Sequence, residues 1–144
     1  MVLDLFTKPT DSITFTDIEL FFNAQIGENI RIDYKKDFPN DLGKYISEFA
    51  NTYGGIILIG IEANKTTNIP TKMEGVDLIN GLEEKIISIS HANIYPPITP
   101  EVRICPFKSN QNLTTNDKAV ILIRVEESYD APHMYMTSSQ NESI

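Results

Sequence analysis

The first signal in the sequence is the spacing of its apolar residues, which changes period from one segment to the next. Between Glu28 and Lys35, the apolar residues Ile30, Ile32 and Tyr34 alternate with polar ones. A period of two places successive side chains on opposite faces of a strand. This segment therefore predicts a half-buried strand with a polar outer face.

Three other segments repeat their apolar residues at helical spacing. Residues 16–19 have the form of a capping box, with a hydroxyl at the cap and a carboxylate three residues later, and they predict a short helix ending near Ala24. Residues 42–50 predict a second helix, which a glycine pair stops. Residues 78–89 predict a third helix that ends two residues further on.

The remaining apolar segments are continuous and rich in β-branched residues. Residues 56–61 predict a strand that is covered on both faces, and residues 102–107 and 119–125 predict two more strands joined by a polar hairpin loop over 108–117. The predicted order is α-β-α-β-α-β-β. This order favours an α+β fold, a mixed and mainly antiparallel sheet with helices packed on it.

Composition limits the class of protein. The chain has 144 residues, of which 41% are hydrophobic, and this suits one globular domain. The longest apolar run is too short to span a membrane, and the first residues lack the pattern of a secretory signal. Cys105 is the single cysteine, which excludes an internal disulfide and a cysteine-based zinc cluster. We expect a cytoplasmic protein with no membrane partner.

The net charge of −8 argues against a strongly basic binding surface. The acidic excess is concentrated at the ends: residues 1–27 hold four acids and one lysine, and residues 126–144 hold four acids and no base. The middle of the chain is close to neutral. A local basic face is therefore compatible with the sequence, although its affinity for phosphate would be modest.

The segment that joins the second helix to the strand at 56–61 contains Asn51, Gly54 and Gly55. One glycine at positive φ would end the helix, and the other would let the backbones of strand and helix approach closely. Asn51 would bond nearby backbone groups. A phosphate-cradling loop is the alternative, but the sequence has no GxxxxGK[ST] motif of a nucleotide-hydrolysing enzyme.

Three segments together resemble the Schlafen-type, Alba-like DNA-binding domain. The segment from Glu28 to Lys35 is similar to its opening strand, residues 46–61 to its Ala-Asn-Thr-x-Gly-Gly block, and Val125 to Ser128 with Pro132 to its closing strand. The resemblance divides the chain into an N-terminal helical arm (1–27), a Schlafen/Alba-like domain (28–132) and a polar C-terminal tail (133–144).

This resemblance implies a nucleic-acid-binding module, for DNA or RNA, that belongs to a transcriptional regulator. Arg31, Lys35 and Lys36 would form a basic stripe that contacts phosphates. The alternative is a solvated strand edge that its lysines protect from aggregation. A binding module of this kind needs no cofactor, and the sequence leaves open whether it forms a homo-oligomer.

The resemblance also implies a second hypothesis, a metal-dependent endoribonuclease. Glu28, Asp33 and Glu62 would then be catalytic and would hold Mg²⁺ or Mn²⁺, which prefer clustered carboxylate oxygens. The chain departs from the family here, because it has Asp33 where a glutamate is usual and one acid at Glu62 where two are common. These residues could equally be ordinary surface acids. A third hypothesis is a protein-interaction module whose acidic surface recruits a basic partner.

Overall fold

The structure is a computed structural model that describes residues 4–108, 113, 114 and 116–136. Within these residues there are three α-helices: α1 (Phe15–Asn23), α2 (Leu42–Ala50) and α3 (Leu82–Ala92). The same residues form nine β-strands: β1 (Ile32–Lys35), β2 (Gly55–Ile59), β3 (Ile61–Ala63), β4 (Pro70–Met73), β5 (Val76–Asp77), β6 (Ile94–Tyr95), β7 (Glu101–Pro106), β8 (Lys118–Val125) and β9 (Met134–Tyr135). None of the helices in the described ranges is long and apolar enough to cross a membrane.

The main sheet has β2 and β8 at its centre. β1 pairs with β2 in parallel, and β2 pairs with β8 in antiparallel orientation. All of β7 pairs with the other edge of β8, over residues 119–124. The short β5 pairs with β8 at Lys118 and Ala119, on the same edge as β2. The pairs β3–β4 and β6–β9 form two small ribbons beside this sheet. The predicted fold class, α+β with a mixed and mainly antiparallel sheet, is confirmed.

β2 is apolar throughout because both faces of the sheet are covered. Ile56 and Leu58 pack in a core with α1 and the N-terminal arm, and Ile57 and Ile59 pack in a second core with α2 and α3. All four side chains are fully buried. Each contributes about 1.5–3 kcal/mol relative to an exposed position. The prediction of a strand covered on both faces is confirmed, but the strand ends at Ile59, because Gly60 at φ +105° separates it from β3.

The N-terminal arm (residues 4–27) contributes to the first core. Leu5, Ile13, Ile18 and Phe21 are all buried there. The arm is fastened by Arg124, whose guanidinium donates hydrogen bonds to the backbone carbonyls of Leu5 and Lys8 and to the hydroxyl of Thr10. The arm is therefore one layer of the fold.

Two predicted helix starts are wrong. α1 begins two residues earlier than predicted, because Thr14 and Asp17 form the capping box in place of Thr16 and Glu19. Both pairs have the same spacing, and the earlier one is also held by an ion pair between Lys8 and Asp17 at 2.7 Å. α3 begins at Leu82, after Gly81 in the left-handed region (φ 72°), so the residues predicted as its first turn lie outside the helix.

Asn51 and Gly54 close the junction between α2 and β2. Gly54 has φ +73°, as predicted for the residue that ends the helix. The Asn51 side chain donates to the His133 carbonyl at 2.9 Å and accepts from the His133 N–H at 2.7 Å. Asn51 thus pairs with backbone that is distant in sequence, and it holds the segment that precedes β9 against α2.

Two of the predicted segments lie partly outside the described residues. Positions 109–112 and 115 of the predicted hairpin loop and positions 137–144 of the polar tail are not described. In the described part of the tail, His133 is buried and Met134–Tyr135 forms β9. The turn-rich stretch before Met73 contains a strand pair, β3 and β4, that the sequence analysis missed.

Candidate site in the cleft between β1 and α2

A tight turn before β1 determines where Glu28 lies. Asn29 and Ile32 exchange backbone hydrogen bonds, and the Asn29 side chain accepts the N–H of Arg31 at 2.8 Å. The predicted strand therefore starts only at Ile32, and Ile30, expected on its buried face, is 68% exposed. The turn folds Glu28 back along β1, where its carboxylate accepts the Tyr34 N–H at 3.0 Å.

Glu28 and Asp33 form a carboxyl pair at the base of the cleft. Burial, and next the hydrogen bond that a protonated Asp33 donates to Glu28, raise the pKa of Asp33 to about 7. Burial and the charge of Glu28 also raise the pKa of Tyr34, whose hydroxyl donates to the Ile26 carbonyl at 2.5 Å. The structure thus brings two of the three predicted catalytic acids together.

Lys35 lies in the same cleft and has two partners there. Its ammonium is 3.4 Å from the carboxylate of Asp33 and 3.7 Å from the ring centroid of Tyr45. Burial opposes the charged form, but the charge of Asp33 and the contact with Tyr45 outweigh it and raise the pKa of Lys35. Lys35 is therefore a cation held by its own chain.

One stripe of α2 forms the opposite wall of the cleft. Tyr45, Glu48 and Phe49 line it at helical spacing, and Thr52 and Tyr53 follow just after the helix. The cleft has a volume of about 470 Å³. Its lining is therefore aromatic and acidic, with a single ammonium group already paired.

Glu62 does not share this cleft. It lines a separate depression of about 300 Å³, together with Lys36, Lys72 and Lys118. Across the described ranges, no three acidic, histidine or cysteine side chains are grouped closely enough to hold a metal ion. Glu28, Asp33 and Glu62 as placed do not fit one divalent ion, because Glu62 is elsewhere and the Lys35 ammonium lies beside Asp33.

The three predicted basic residues line different surfaces. Lys35 lies in the cleft and Lys36 in the depression, whereas the guanidinium carbon of Arg31 is 4.5 Å from the ring centroid of Phe6 in the arm. β1 ends at Lys35, and so does the alternation of its side chains. The basic stripe predicted for Arg31, Lys35 and Lys36 therefore does not form on one face of the strand. Cys105 is buried in β7, and burial raises the pKa of its thiol.

The sequence analysis missed Glu48 and Lys72 as site residues. Glu48 follows Tyr45 by three residues on a predicted helix, so the helical spacing could have indicated that the two side chains are neighbours. Lys72 lies on β4, opposite Glu62 in the β3–β4 ribbon. No local signal in the polar segment before Met73 indicated that ribbon.

The raised pKa of Asp33 makes stability depend on pH. The unfolded chain binds the Asp33 proton with a pKa near 3.8 and the folded chain with a pKa of about 7. The stabilising contribution is complete below pH 4 and is lost as the pH rises toward 7. We expect Asp33→Asn to raise the free energy of unfolding at pH 8 by about 1–2 kcal/mol, allowing for the contact of Asp33 with water.

Urea denaturation of both proteins between pH 4 and pH 8 measures this effect. The difference between variant and parent should grow with pH across that range. A pH-independent gain from Asp33→Asn would contradict the assigned cause.

Comparison with known proteins places this geometry in a family context. The family model described as Schlafen, AlbA_2 matches residues 28–144. A solution NMR structure is also similar: the N-terminal domain of a Nitrosomonas europaea protein described as related to the ATP-dependent DNA helicase RecG. The match has a TM-score of 0.56 and 20% identity and covers 80% of this chain and 74% of that one, so it shows the fold alone. No curated protein matches the chain in sequence.

Proposed function

The chain belongs to the Schlafen AlbA_2 family, and from this premise we propose that it is a nucleic-acid-binding module that contacts phosphates through Lys36, Lys72 and Lys118. The fold shared with the N-terminal domain of a RecG-related helicase protein supports the same class of partner. Binding to DNA or RNA in the cytoplasm, as part of a transcriptional regulator, is the setting that we propose.

The observation that carries the proposal is the meeting of three lysines from separate elements. Lys36 follows β1, Lys72 lies on β4, and Lys118 starts β8, and all three line one depression. Among the described residues, Lys118 pairs with Asp77 at 2.7 Å, whereas no ion pair involves Lys36 or Lys72. Their ammonium groups are therefore available to phosphate oxygens.

Two glycines at positive φ also line the depression. Gly60 has φ +105° and Gly75 φ +73°, and a Cβ added to Gly60 would be 2.7 Å from the Gly75 Cα. The two backbones are in close contact here, and the glycines add no side chains of their own to the depression, although the Phe107 ring packs against Gly75. The missing side chains leave room for a phosphate group beside the lysines.

The depression also contains acids, and they limit the affinity. Asp37, Glu62 and Glu74 line it beside the lysines. Equal numbers of acids and bases give little long-range attraction, so binding depends on short-range contacts. We expect weak binding that is lost quickly as salt is added.

The double variant Lys36→Glu with Lys72→Glu should weaken binding to a DNA duplex equally for all sequences. For each phosphate contact that is lost, binding releases about one counterion fewer from the DNA. The slope of log K against log salt should therefore flatten by about two units. Fluorescence anisotropy with a labelled 20-base-pair duplex, measured at several salt concentrations, gives both quantities.

A double variant of matched charge, Lys44→Glu with Lys65→Glu, is the control, because both lysines are exposed and neither lines the depression. It should change the salt slope much less. Equal losses in the two double variants would place the phosphate contacts elsewhere. Absence of binding by the parent to DNA and RNA at low salt would reject the proposed function.

One observation favours the endoribonuclease as a second candidate: Glu28 and Asp33 lie together in a cleft. Cleavage of structured RNA that requires Mn²⁺ or Mg²⁺ and disappears in Asp33→Asn would support it. Asp33→Asn changes the cleft, whereas Glu62→Gln changes the lysine depression. Comparing RNA cleavage by the two variants therefore shows on which of the two surfaces the cleavage depends.

A further inference from the structure

We infer that the outer half of the β1–α2 cleft is a docking site for an arginine-containing segment of a partner protein. We define the outer subsite by Glu48, Tyr53 and Ile30, which line the cleft at its rim. The inference concerns a surface other than the lysine depression and is independent of nucleic-acid binding.

The inner half of the cleft shows what kind of group this lining holds. There the ammonium of Lys35 lies 3.4 Å from the carboxylate of Asp33 and 3.7 Å from the ring centroid of Tyr45. An acid and an aromatic ring together attract a cation, the ring through its electron-rich face. The inner half is thus a cation site that the chain fills with its own lysine.

The outer subsite repeats this chemistry without a cation. Glu48 supplies the carboxylate and Tyr53 the ring, and the Tyr53 side chain is 63% exposed. Within the described residues, the Glu48 carboxylate has neither an ion pair nor a hydrogen bond. Ile30, exposed to a similar extent, adds an apolar contact at the rim.

Arginine matches this lining better than lysine does. Its planar guanidinium can donate paired hydrogen bonds to a carboxylate while its face stacks on an aromatic ring. Its methylene groups can lie against an apolar side chain such as Ile30. A lysine ammonium is a point charge and cannot make the carboxylate and stacking contacts with the same geometry.

The charges argue against a phosphate in the same place. Glu28, Asp33 and Glu48 line the cleft, and its lysine is already paired with Asp33. An approaching phosphate would meet a net negative lining. The net charge of the whole chain, −8, also steers basic partners toward the protein.

The test uses three fluorescent nonapeptides of glycine and serine that each carry three arginines, three lysines or three citrullines. Citrulline keeps the shape of arginine but has no charge. At fixed ionic strength we expect the arginine peptide to bind in anisotropy titrations, the lysine peptide to bind about three- to tenfold more weakly, and the citrulline peptide not to bind. Amide NMR shifts should concentrate at Glu48 and Tyr53.

Variants locate the site. Tyr53→Ala and Glu48→Gln should each weaken arginine-peptide binding about tenfold, and Tyr53→Phe should retain it, because the ring is kept. Tyr129→Ala and Glu83→Gln are matched controls, since both residues are exposed and neither lines the cleft. They should leave the affinity unchanged.

Three results would overturn the inference. Equal affinities for the arginine and lysine peptides, with no loss in Tyr53→Ala, would mean unspecific attraction to an acidic protein. Amide NMR shifts at Glu48 and Tyr53 that a single-stranded oligonucleotide produces without the peptide would assign the cleft to a nucleic acid. Displacement by Mg²⁺ at matched ionic strength would assign it to a metal ion.

Discussion

Replacing Gly55 with valine should lower the free energy of unfolding by about 3 kcal/mol or more. Gly55 begins β2 next to β1, and a Cβ added there would lie 2.6 Å from the Arg31 carbonyl oxygen and 2.6 Å from the Phe49 ring. The Arg31 carbonyl cannot withdraw freely, because it accepts the Ile56 N–H at 2.9 Å. Relief therefore requires α2 to move off the sheet. Urea denaturation followed by circular dichroism measures the loss.

Gly27→Ala is the control for this substitution. A Cβ at Gly27 would meet no atom closer than 3.5 Å, which is ordinary contact. Alanine also lowers the entropy of the unfolded chain, so the expected change is within about 0.5 kcal/mol of zero. A loss at Gly55→Val no larger than at Gly27→Ala would mean that the junction of α2 and β2 tolerates a side chain.

The sheet and its cores could be predicted from the sequence because their signal is local. β2 and residues 119–123 of β8 are continuous apolar runs, a composition typical of strands covered on both faces. Phe49, Ile57, Ile59, Leu82 and Ile121, which all lie in segments predicted as helices or strands, are buried. Packing of this kind depends on which residues are apolar and needs no knowledge of distant partners.

The contacts that fasten distant segments could not be predicted in this way. Asn51 was expected to bond nearby backbone, but its partner is His133, which is 82 residues away. An amide side chain can bond almost any peptide group, so its identity does not specify the partner. The β3–β4 ribbon was missed because its strands, of three and four residues, are too short to give a periodic signal.

The residues of the candidate site were predicted only in part, because a local turn changes the direction of the chain before β1. The family resemblance grouped Glu28 and Asp33 with Glu62, but the alternation extended through Ile30 concealed the turn at Asn29. That turn places Glu28 beside β1, and it leaves Ile30 at the rim of the cleft. β1 therefore carries two surfaces, the acidic cleft along its length and the lysine depression just after its end.

The N-terminal arm lies outside the residues matched by the family model and is fastened to the sheet by Arg124. Arg124→Met should lower the free energy of unfolding by about 3 kcal/mol. Arg124 is 8% exposed, and its guanidinium donates to the Glu101 carboxylate at 2.9 Å as well as to the arm. Methionine fills a similar volume, but it leaves the arm carbonyls of Leu5 and Lys8 without this donor. Urea denaturation measures the loss.

Lys118→Met is the control, because Lys118 is on the same strand and forms an ion pair with Asp77 at 2.7 Å. Both side chains of that pair are at least half exposed, so the cost should stay below about 1 kcal/mol. Hydrogen exchange locates the effect: Arg124→Met should speed exchange of the Ser12 and Ile13 amides, which close the short 3₁₀ turn of the arm. Exchange that stays slow there would show that the buried apolar residues Leu5 and Ile13 hold the arm without Arg124.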